Sequence, residues 1–379
     1  MKIIGIICEY NPFHQGHQKQ IKWIRQQFEE ECAIVCLMSG NFVQRGHPAI
    51  FDKSLRARAA VDSGADLVLE LPATYSLRSA EGFAAGGVEI LGKFCDYLCF
   101  GSETGDVSSL VATAKALLSP QFPANLRTHL ERGLSFPAAR QAALEEMGLD
   151  ASLLAQPNDI LAVEYCKAIL FQGSSMQPLP LRREGGYHDD TPDPENPSAT
   201  ALRALICEDQ PWDAYVPTSA AVNGPIHALE AGERAILARL RTMSDAEFEA
   251  LPFGSEGLWR KLMHAARSCG TLEEILTNTK SKRYTRTRLD RMVMCAYLGI
   301  SQKMLEDTVP WVRVLGFGAR GIPVLKTARE TGCFPHTGDR MEGAYQQSEA
   351  LWDNLYGLFR VNSPTPAGQT SSRRVYIQK

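Results

Sequence analysis

The chain has 379 residues, a formal net charge of −3 and a hydrophobic fraction of 44%. This length exceeds what one core usually needs, so two domains are expected. The charge excludes a chain that is basic overall, so any nucleic-acid surface must be local. No run approaches the roughly 18 consecutive apolar residues of a membrane span. Ten cysteines without a Cys-x-x-Cys pair argue against a zinc ribbon and favour reduced thiols in a cytoplasmic protein.

The first hundred residues alternate apolar strand patterns with helical patterns. Strands are predicted at 2–9, 32–38, 66–71 and 97–100, and helices at 16–30, 53–63 and 79–94. Continuous apolar strands separated by helices are typical of a parallel sheet with helices on both faces. The sequence therefore predicts an α/β fold with a Rossmann-like parallel sheet.

The remainder of the chain is predicted to be mainly helical. Helices are expected at 106–171, 198–208 and 226–309, and a short strand at 179–181. Proline and glycine punctuation between 212 and 225 indicates a boundary. We predict a catalytic domain at 1–215 and a mainly helical carboxyl-terminal domain at 216–379.

Two histidines lie where the first predicted strand meets the first helix, in the run Glu9-Tyr10-Asn11-Pro12-Phe13-His14-Gln15-Gly16-His17. Ligands bind at the carboxyl ends of strands in open α/β sheets, and a helix start offers unpaired N–H groups to phosphate. Imidazoles three residues apart share a helix face and can donate hydrogen bonds to a triphosphate as its charge shifts. His14 and His17 are therefore the predicted catalytic residues. The alternatives are a metal pair, for which no third ligand is evident, and a merely polar helix start.

Other polar turns follow the strands at the same predicted edge. Met38 to Gly46 follows the second strand, and Phe100 to Glu103 follows the fourth. Both could admit a nucleotide close to the backbone, or could simply be tight turns. Lys53, Arg56 and Arg58, at the start of the second helix, could contact phosphate or could be solvated.

These residues resemble those of the tRNA(Met) cytidine acetate ligase family, which belongs to the HIGH-type nucleotidyltransferase superfamily. The matching stretches are 9–17, 38–46, 64–72, 100–103, Tyr187-His188 and 282–288. The resemblance thus covers nearly the whole chain and implies a nucleotidyltransferase-type sheet. It also implies a two-step reaction. Acetate attacks the α-phosphate of ATP to give acetyl-adenylate and pyrophosphate, and N4 of the wobble cytidine of elongator tRNA(Met) then takes the acetyl group.

The resemblance also implies the residues that contact ATP. They are Ile7, Cys8, Glu9, Tyr10, Asn11, Pro12, Phe13, His14, Gln15, Gly16, His17, Gln18, Lys19, Gln20, Gly101, Asn158 and Arg183. The run from Arg183 to His188 is one residue shorter than the family pattern, so Arg182 could be the counterpart of the family arginine. Ser198 and Thr200 stay open as contacts. Mg²⁺ is expected to accompany ATP, although no carboxylate cage is evident.

A local excess of basic residues follows the predicted boundary. Residues 281–330 contain ten Lys or Arg against four Asp or Glu. Within them, Lys282, Arg283, Arg286 and Arg288 are interleaved with a tyrosine and hydroxyls, which suits phosphate contacts. A solvated helix face is the alternative, and the resemblance favours tRNA binding.

Two other functions remain open from the sequence. One is a small-molecule adenylyltransferase, which would use the same ATP site. The other is a tRNA-binding protein without catalytic activity, which would not need the two histidines. The expected partners are ATP, acetate and elongator tRNA(Met), with no membrane and no obligate protein partner.

Overall fold

This computed structural model describes residues 1–29, 31–183, 193, 197–221, 224–281, 283–309, 311–337, 343–369 and 374–378. Within these ranges no helix is both long enough and apolar enough to cross a membrane. The run from Glu184 to His188 and the predicted tRNA contact Lys282 lie outside the described residues.

The described strands form one large sheet and one short hairpin. They are β1 (Lys2–Cys8), β2 (Cys32–Ser39), β3 (Phe42–Val43), β4 (His47–Pro48), β5 (Leu67–Leu71), β6 (Tyr97–Ser102), β7 (Gln177–Arg182), β8 (Trp311–Phe317), β9 (Phe334–His336) and β10 (Tyr376–Ile377). The large sheet has the order β10-β8-β5-β2-β1-β6-β7, and β9 also pairs with β8. β3 and β4 form the separate antiparallel hairpin.

The central strands are parallel, as the sequence predicted. β1 pairs with β2 from Lys2–Cys32 to Cys8–Met38, and β2 continues in parallel to β5. On the other side, β6 and β7 extend the parallel sheet. The carboxyl ends of β1, β2, β5 and β6 therefore meet at one edge, where ligands bind in open α/β sheets.

Helices surround the sheet and fill the carboxyl-terminal part. They are α1 (Gln15–Gln27), α2 (Lys53–Asp62), α3 (Ala73–Ser76), α4 (Ala80–Leu91), α5 (Val107–Leu118), α6 (Phe122–Glu131), α7 (Phe136–Glu146), α8 (Pro157–Phe171), α9 (Ala199–Cys207), α10 (Glu233–Thr242), α11 (Asp245–Glu249), α12 (Leu258–Ser268), α13 (Leu272–Thr279), α14 (Arg286–Leu298), α15 (Gln302–Glu306), α16 (Gly321–Glu330) and α17 (Ala344–Tyr356).

Alternation along the strands assigns side chains to the two faces of the sheet. Ile3 and Ile7 of β1 pack with α4, α5, α8 and α16 on one face. Ile4 and Ile6 pack with α1 and α2 on the other. Burial of one such side chain contributes about 1.5–3 kcal/mol. The predicted α/β class with helices on both faces is confirmed.

The helices from α10 to α14 enclose a further apolar core. Trp352 and Tyr356 of α17 complete this core, and Phe42 and Leu77 join it from the amino-terminal half. Residues after 310 then return to the large sheet, because β8 pairs antiparallel with β5 and β10 pairs with β8. The sequence did not predict β8. The division at residue 215 stays a prediction.

Candidate active site

His14 and His17 lie together at the start of α1. His14 directly precedes the helix with an extended backbone. Its backbone N–H donates a hydrogen bond to Nδ1 of His17 at 3.2 Å. The two rings stack with centroids 3.7 Å apart. Because Nδ1 of His17 accepts this bond, a neutral His17 carries its proton on Nε2.

Both histidines are held in the neutral form. Burial, together with the charges of Arg183 and Arg203, lowers the pKa of His14 to about 3. Burial, then His14 and Arg183, lowers the pKa of His17 well below its ordinary value. Each ring can therefore donate one N–H without carrying a charge of its own. Nδ1 of His14 is buried and has no hydrogen-bond partner among the described residues.

Arg56 fastens the turns that follow β1 and β2. Its guanidinium donates to the carbonyl oxygens of Glu9 at 2.5 Å and Ser39 at 3.1 Å, and also to that of Gly40. Lys53 is equally buried and pairs with Glu70 at 2.8 Å. Neither side chain is a solvated cation or a phosphate contact. Arg56 fixes the backbone at the edge of the sheet, whereas Lys53 joins α2 to the Glu70 side chain of β5.

A reciprocal set of hydrogen bonds joins the turn after β6 to the start of α8. The Glu103 carboxylate accepts from the side-chain amide of Asn158 at 2.7 Å and from the backbone N–H of Asp159 at 2.7 Å. Asp159 in turn accepts from the N–H groups of Glu103 at 3.0 Å and Thr104 at 3.2 Å. A carboxylate at a helix start is favoured by the helix dipole. Asn158 is therefore held in one position.

The absence of a side chain at Gly101 makes room for an arginine. A Cβ at this position would lie 3.2 Å from Cδ of Arg183. The backbone N–H of Arg183 donates to the Ser102 carbonyl at 2.9 Å, which fixes the arginine beside β6. On the opposite side, Arg203 of α9 donates to the Asn11 carbonyl at 2.8 Å and to Thr200 Oγ1 at 3.0 Å.

One cavity of about 390 Å³ lies at the carboxyl ends of β1 and β6, and its lining includes His14, His17, Gly101, Asn158, Arg183 and Arg203. Of the predicted ATP contacts, the lining residues are Ile7, Cys8, Glu9, Tyr10, Asn11, His14, His17, Gln20, Gly101, Asn158 and Arg183. The predicted contacts that do not line it are Pro12, Phe13, Gln15, Gly16, Gln18 and Lys19. Phe13 is 2% exposed and packs against Tyr10 and His17. The structure thus brings together the histidines and residues distant in sequence.

The cavity also contains residues that the predicted set omitted. Arg45, Ser198, Thr200 and Arg203 line it, as does Tyr165 of α8. Arg45 could have been found from the sequence, because it lies in the polar turn from Met38 to Gly46 that follows the second predicted strand. Tyr165 could not, because it lies within an apolar helix that gives no sign of facing a ligand.

The predicted tRNA contacts lie around the start of α14, and their charges are partly paired. Arg286 contacts Glu273 at 2.6 Å and Asp290 at 3.0 Å. Arg283 pairs with Glu256 at 2.7 Å, yet 70% of its side chain is exposed. Arg288 donates to the Phe253 carbonyl at 2.7 Å.

The basic excess at the surface is smaller than the sequence suggests. Arg291 and Arg313, which contribute to the count over 281–330, are both buried. No group of three or more metal-binding side chains occurs in the described part of the chain.

Comparisons with known proteins show what the chain is similar to. The profile of a family described as HIGH Nucleotidyl Transferase matches residues 1–354. The tRNA(Met) cytidine acetate ligase of Halothermothrix orenii is 36% identical over 88% of this chain and 86% of its own length. The Clostridium acetobutylicum protein of the same description is 34% identical over 88% of this chain and 89% of its own.

Two solved structures are also similar. Apo TmcAL of Thermotoga maritima superposes with a TM-score of 0.89 at 28% identity, covering 100% of this chain and 99% of that one. TmcAL bound with alpha-thio ATP gives a TM-score of 0.87 at 27% identity and covers 100% of both chains.

Proposed function

Because the chain belongs to the HIGH nucleotidyl transferases and, within them, to the tRNA(Met) cytidine acetate ligases, we propose that it acetylates tRNA(Met) with acetate and ATP. In the first step an acetate oxygen attacks the α-phosphorus of ATP, and pyrophosphate leaves. In the second step N4 of the wobble cytidine of elongator tRNA(Met) attacks the acetyl carbonyl carbon, and AMP leaves. The product is N4-acetylcytidine.

The stacked histidine pair carries this proposal. His14 and His17 stand at the start of α1, where backbone N–H groups and the helix dipole favour an anion. Their neutral rings donate hydrogen bonds, and Arg183 adds a positive charge at the same cavity. Negative charge grows on the departing pyrophosphate as the α-phosphorus is attacked. Fixed donors aimed at that charge lower the barrier, and loss of one costs about 2.7–4 kcal/mol in well-studied enzymes.

Arg183, rather than Arg182, is the arginine that we assign to ATP. Arg183 lines the cavity and lies against Gly101. Arg182 does not line the cavity, and its Cβ lies beside Gly105. The position of Arg183 in the cavity lining supports this assignment.

Mg²⁺ enters this proposal as part of the substrate. Glu9 carries the one carboxylate among the described residues that line the cavity, and a single carboxylate with phosphate oxygens is a usual environment for Mg²⁺. The ion would neutralise charge on the β- and γ-phosphates. ATP–pyrophosphate exchange should therefore depend on Mg²⁺ in proportion to the Mg²⁺–ATP complex rather than to ATP alone.

The proposal also covers the residues that bind tRNA and the location of the enzyme. Residues 216–379 would hold tRNA through Lys282, Arg283, Arg286 and Arg288, while residues 1–215 would carry out the chemistry. An enzyme that acts on tRNA is expected in the cytoplasm.

Isotope exchange between ATP and pyrophosphate tests the first step directly. The exchange should require acetate and should proceed without tRNA, because acetyl-adenylate forms before the transfer. Addition of tRNA(Met) should then yield acetylated RNA and AMP. Stable transfer of AMP to a small molecule, with no need for acetate, would instead indicate an adenylyltransferase and overturn the proposal.

A further inference from the structure

A second cavity, of about 440 Å³, adjoins the one that we assign to ATP. Four segments line it: Glu9 and Asn11 after β1, the β3–β4 hairpin with the residues that follow it to 50, helix α9, and residues 227–230. The two cavities have lining residues in common, namely Glu9, Asn11, Arg45, Ala199, Thr200 and Arg203. A group bound in the second cavity would therefore lie next to the reacting end of the first.

Resting on the function proposed above, we propose that this second cavity receives the acceptor cytosine. Its size is within the range of pockets for small ligands. Val43, Pro48 and Leu229 provide apolar surface for the faces of a base. RNA bases that are read individually are splayed out and recognised along their polar edges. The cavity offers that edge both hydrogen-bond acceptors and donors.

The polar lining matches the edge of cytosine. The N4 amine is a donor, and Glu230, which lines the second cavity and not the first, carries a carboxylate that can accept from it. The O2 and N3 atoms are acceptors, and Arg45 and Arg203 supply N–H donors from the wall shared with the ATP cavity. The shared wall also means that N4 can approach the acetyl carbonyl.

The β3–β4 hairpin connects this cavity to the basic segment at the start of α14. Gly46 has a φ of +82°, and a Cβ there would lie 2.5 Å from the backbone nitrogen of Arg291. His47, which lines the second cavity, lies 3.8 Å from Asp290. Asp290 also contacts Arg286 at 3.0 Å. Phosphates held at the basic segment would thus place a neighbouring, flipped-out base beside the cavity.

The transfer that this arrangement supports is balanced without any further reactant. The N4 lone pair attacks the carbonyl carbon of acetyl-adenylate, and a C–N bond forms. The bond between that carbon and the phosphate oxygen breaks, and AMP leaves with the electron pair. The N4 proton is released to water.

Ala204 allows the second cavity to be filled without disturbing the first. It lies on α9, is exposed, and lines the second cavity but not the ATP cavity. Ala204→Trp should leave acetate-dependent ATP–pyrophosphate exchange near the wild-type rate. Acetyl transfer to tRNA(Met) should fall on the order of 100-fold, because the amine can no longer reach its position. Affinity for tRNA should change little, since phosphate contacts supply most of it.

The matched control is Ala246→Trp, which adds the same side chain to an exposed position on α11. It should alter neither exchange nor transfer. Ala204→Met, with a smaller and flexible side chain, should give an intermediate loss of transfer. Wild-type transfer by Ala204→Trp, a parallel loss of exchange, or a loss of tRNA affinity that matches the loss of transfer would each overturn the assignment. If the wild-type protein itself lacked acetate-dependent exchange, the proposed function would be wrong instead.

Discussion

At the scale of single residues, His14 and His17 have different relations to the rest of the molecule. Nδ1 of His17 is occupied by the backbone N–H of His14, so only its Nε2–H is available to a ligand. Nδ1 of His14 is buried without a partner among the described residues. This nitrogen lies beside Gly16 at the start of α1, where the side chain of His14 faces the backbone N–H of His17.

The two nitrogens of His17 can be tested separately by substitution. His17→Asn places an acceptor near the Nδ1 position and keeps the bond to His14, but it removes the Nε2–H donor. His17→Gln reaches the Nε2 position with an amide donor and loses the Nδ1 acceptor. We expect ATP–pyrophosphate exchange to fall about 100- to 1,000-fold in His17→Asn and to fall much less in His17→Gln.

Thermal unfolding of the two variants separates an effect on catalysis from an effect on stability. Because His17→Asn keeps the bond at the helix start, its melting temperature should stay closer to the wild-type value than that of His17→Gln. Equal rates of exchange in the two variants would show that the Nε2–H does not contact the triphosphate.

At the residue scale, the sequence predicted the site best where the functional residues are neighbours in the chain. The strand, turn and helix around His14 and His17 lie next to one another in the chain, so their proximity follows from helix geometry. Tyr165 and Arg203 reach the same cavity from α8 and α9. Only the tertiary fold sets those distances. Conversely, Phe13 of the matching motif packs against Tyr10 and His17 and does not line the cavity, and a motif alone does not distinguish packing from binding.

At the scale of elements, α14 shows why a count of charges overstates a binding surface. Arg288 holds the Phe253 carbonyl, and Arg291 is buried over the Phe253 ring at 5.3 Å. Charge reversal at Arg288 would therefore disturb the turn at 253–255 as well as any RNA contact. Arg283 is the better probe, because its exposed pair with Glu256 contributes only about 0–1 kcal/mol to stability.

Removal of the positive charge and removal of the negative charge of this ion pair should have opposite effects on tRNA binding. Arg283→Gln removes a cation and should weaken binding a few-fold, with a reduction of about 0.7–0.9 in the slope of log K against log salt. Glu256→Gln leaves Arg283 without its carboxylate and should strengthen binding. Filter binding of tRNA(Met) over a series of salt concentrations measures both effects.

Arg267→Gln is the matched control for the loss of a surface arginine. Arg267 forms a similar pair with Asp245 at 2.6 Å, on a helix outside the predicted segment. It should change tRNA affinity less than Arg283→Gln does. The same loss at Arg267 and Arg283 would indicate a general charge effect and would argue against the segment as the tRNA site.

The strands that follow one another closely in the chain were also the ones that the sequence predicted. The strands β1, β2, β5 and β6 follow from apolar runs separated by helices. Trp311–Phe317 contains a similar apolar run, but its assignment as β8 depends on pairing with Leu67–Leu69. No local pattern encodes a partner that lies more than two hundred residues earlier. The antiparallel return of the chain to the sheet therefore had to come from the structure.

At the scale of the whole molecule, a buried set of charges joins the carboxyl-terminal helix to the sheet. Lys53 of α2 contacts Glu70 of β5 at 2.8 Å and Asp353 of α17 at 2.9 Å. Arg313 of β8 lies 3.6 Å from Asp353. Glu349, one turn before Asp353, is also buried. Removal of charges from water is costly unless they are paired, so these residues favour one arrangement of α2, β5, β8 and α17.

The proton on Glu349 makes this junction sensitive to pH. Burial and the neighbouring charge of Glu70 raise the pKa of Glu349 from 4.5 to about 8, while Lys53 and Arg313 oppose the increase. The folded protein therefore keeps a proton that the unfolded chain releases above about pH 4.5. Since the unfolded state binds fewer protons, the stability of the wild-type protein should fall as pH rises from about 5 to 8.

Glu349→Gln should remove this dependence, because the amide keeps the shape of the protonated carboxyl and does not titrate. Relative to the variant, the wild-type free energy of unfolding should decrease by up to about 1.4 kcal/mol per pH unit across that interval. Denaturant unfolding at several pH values measures the difference. Glu145→Gln, at an exposed position of α7, should follow the wild-type curve. Parallel curves for the wild type and Glu349→Gln would show that Glu349 is already ionised at neutral pH. Lys53 and Arg313 would then outweigh both burial and the repulsion from Glu70 at the junction between α17 and the sheet.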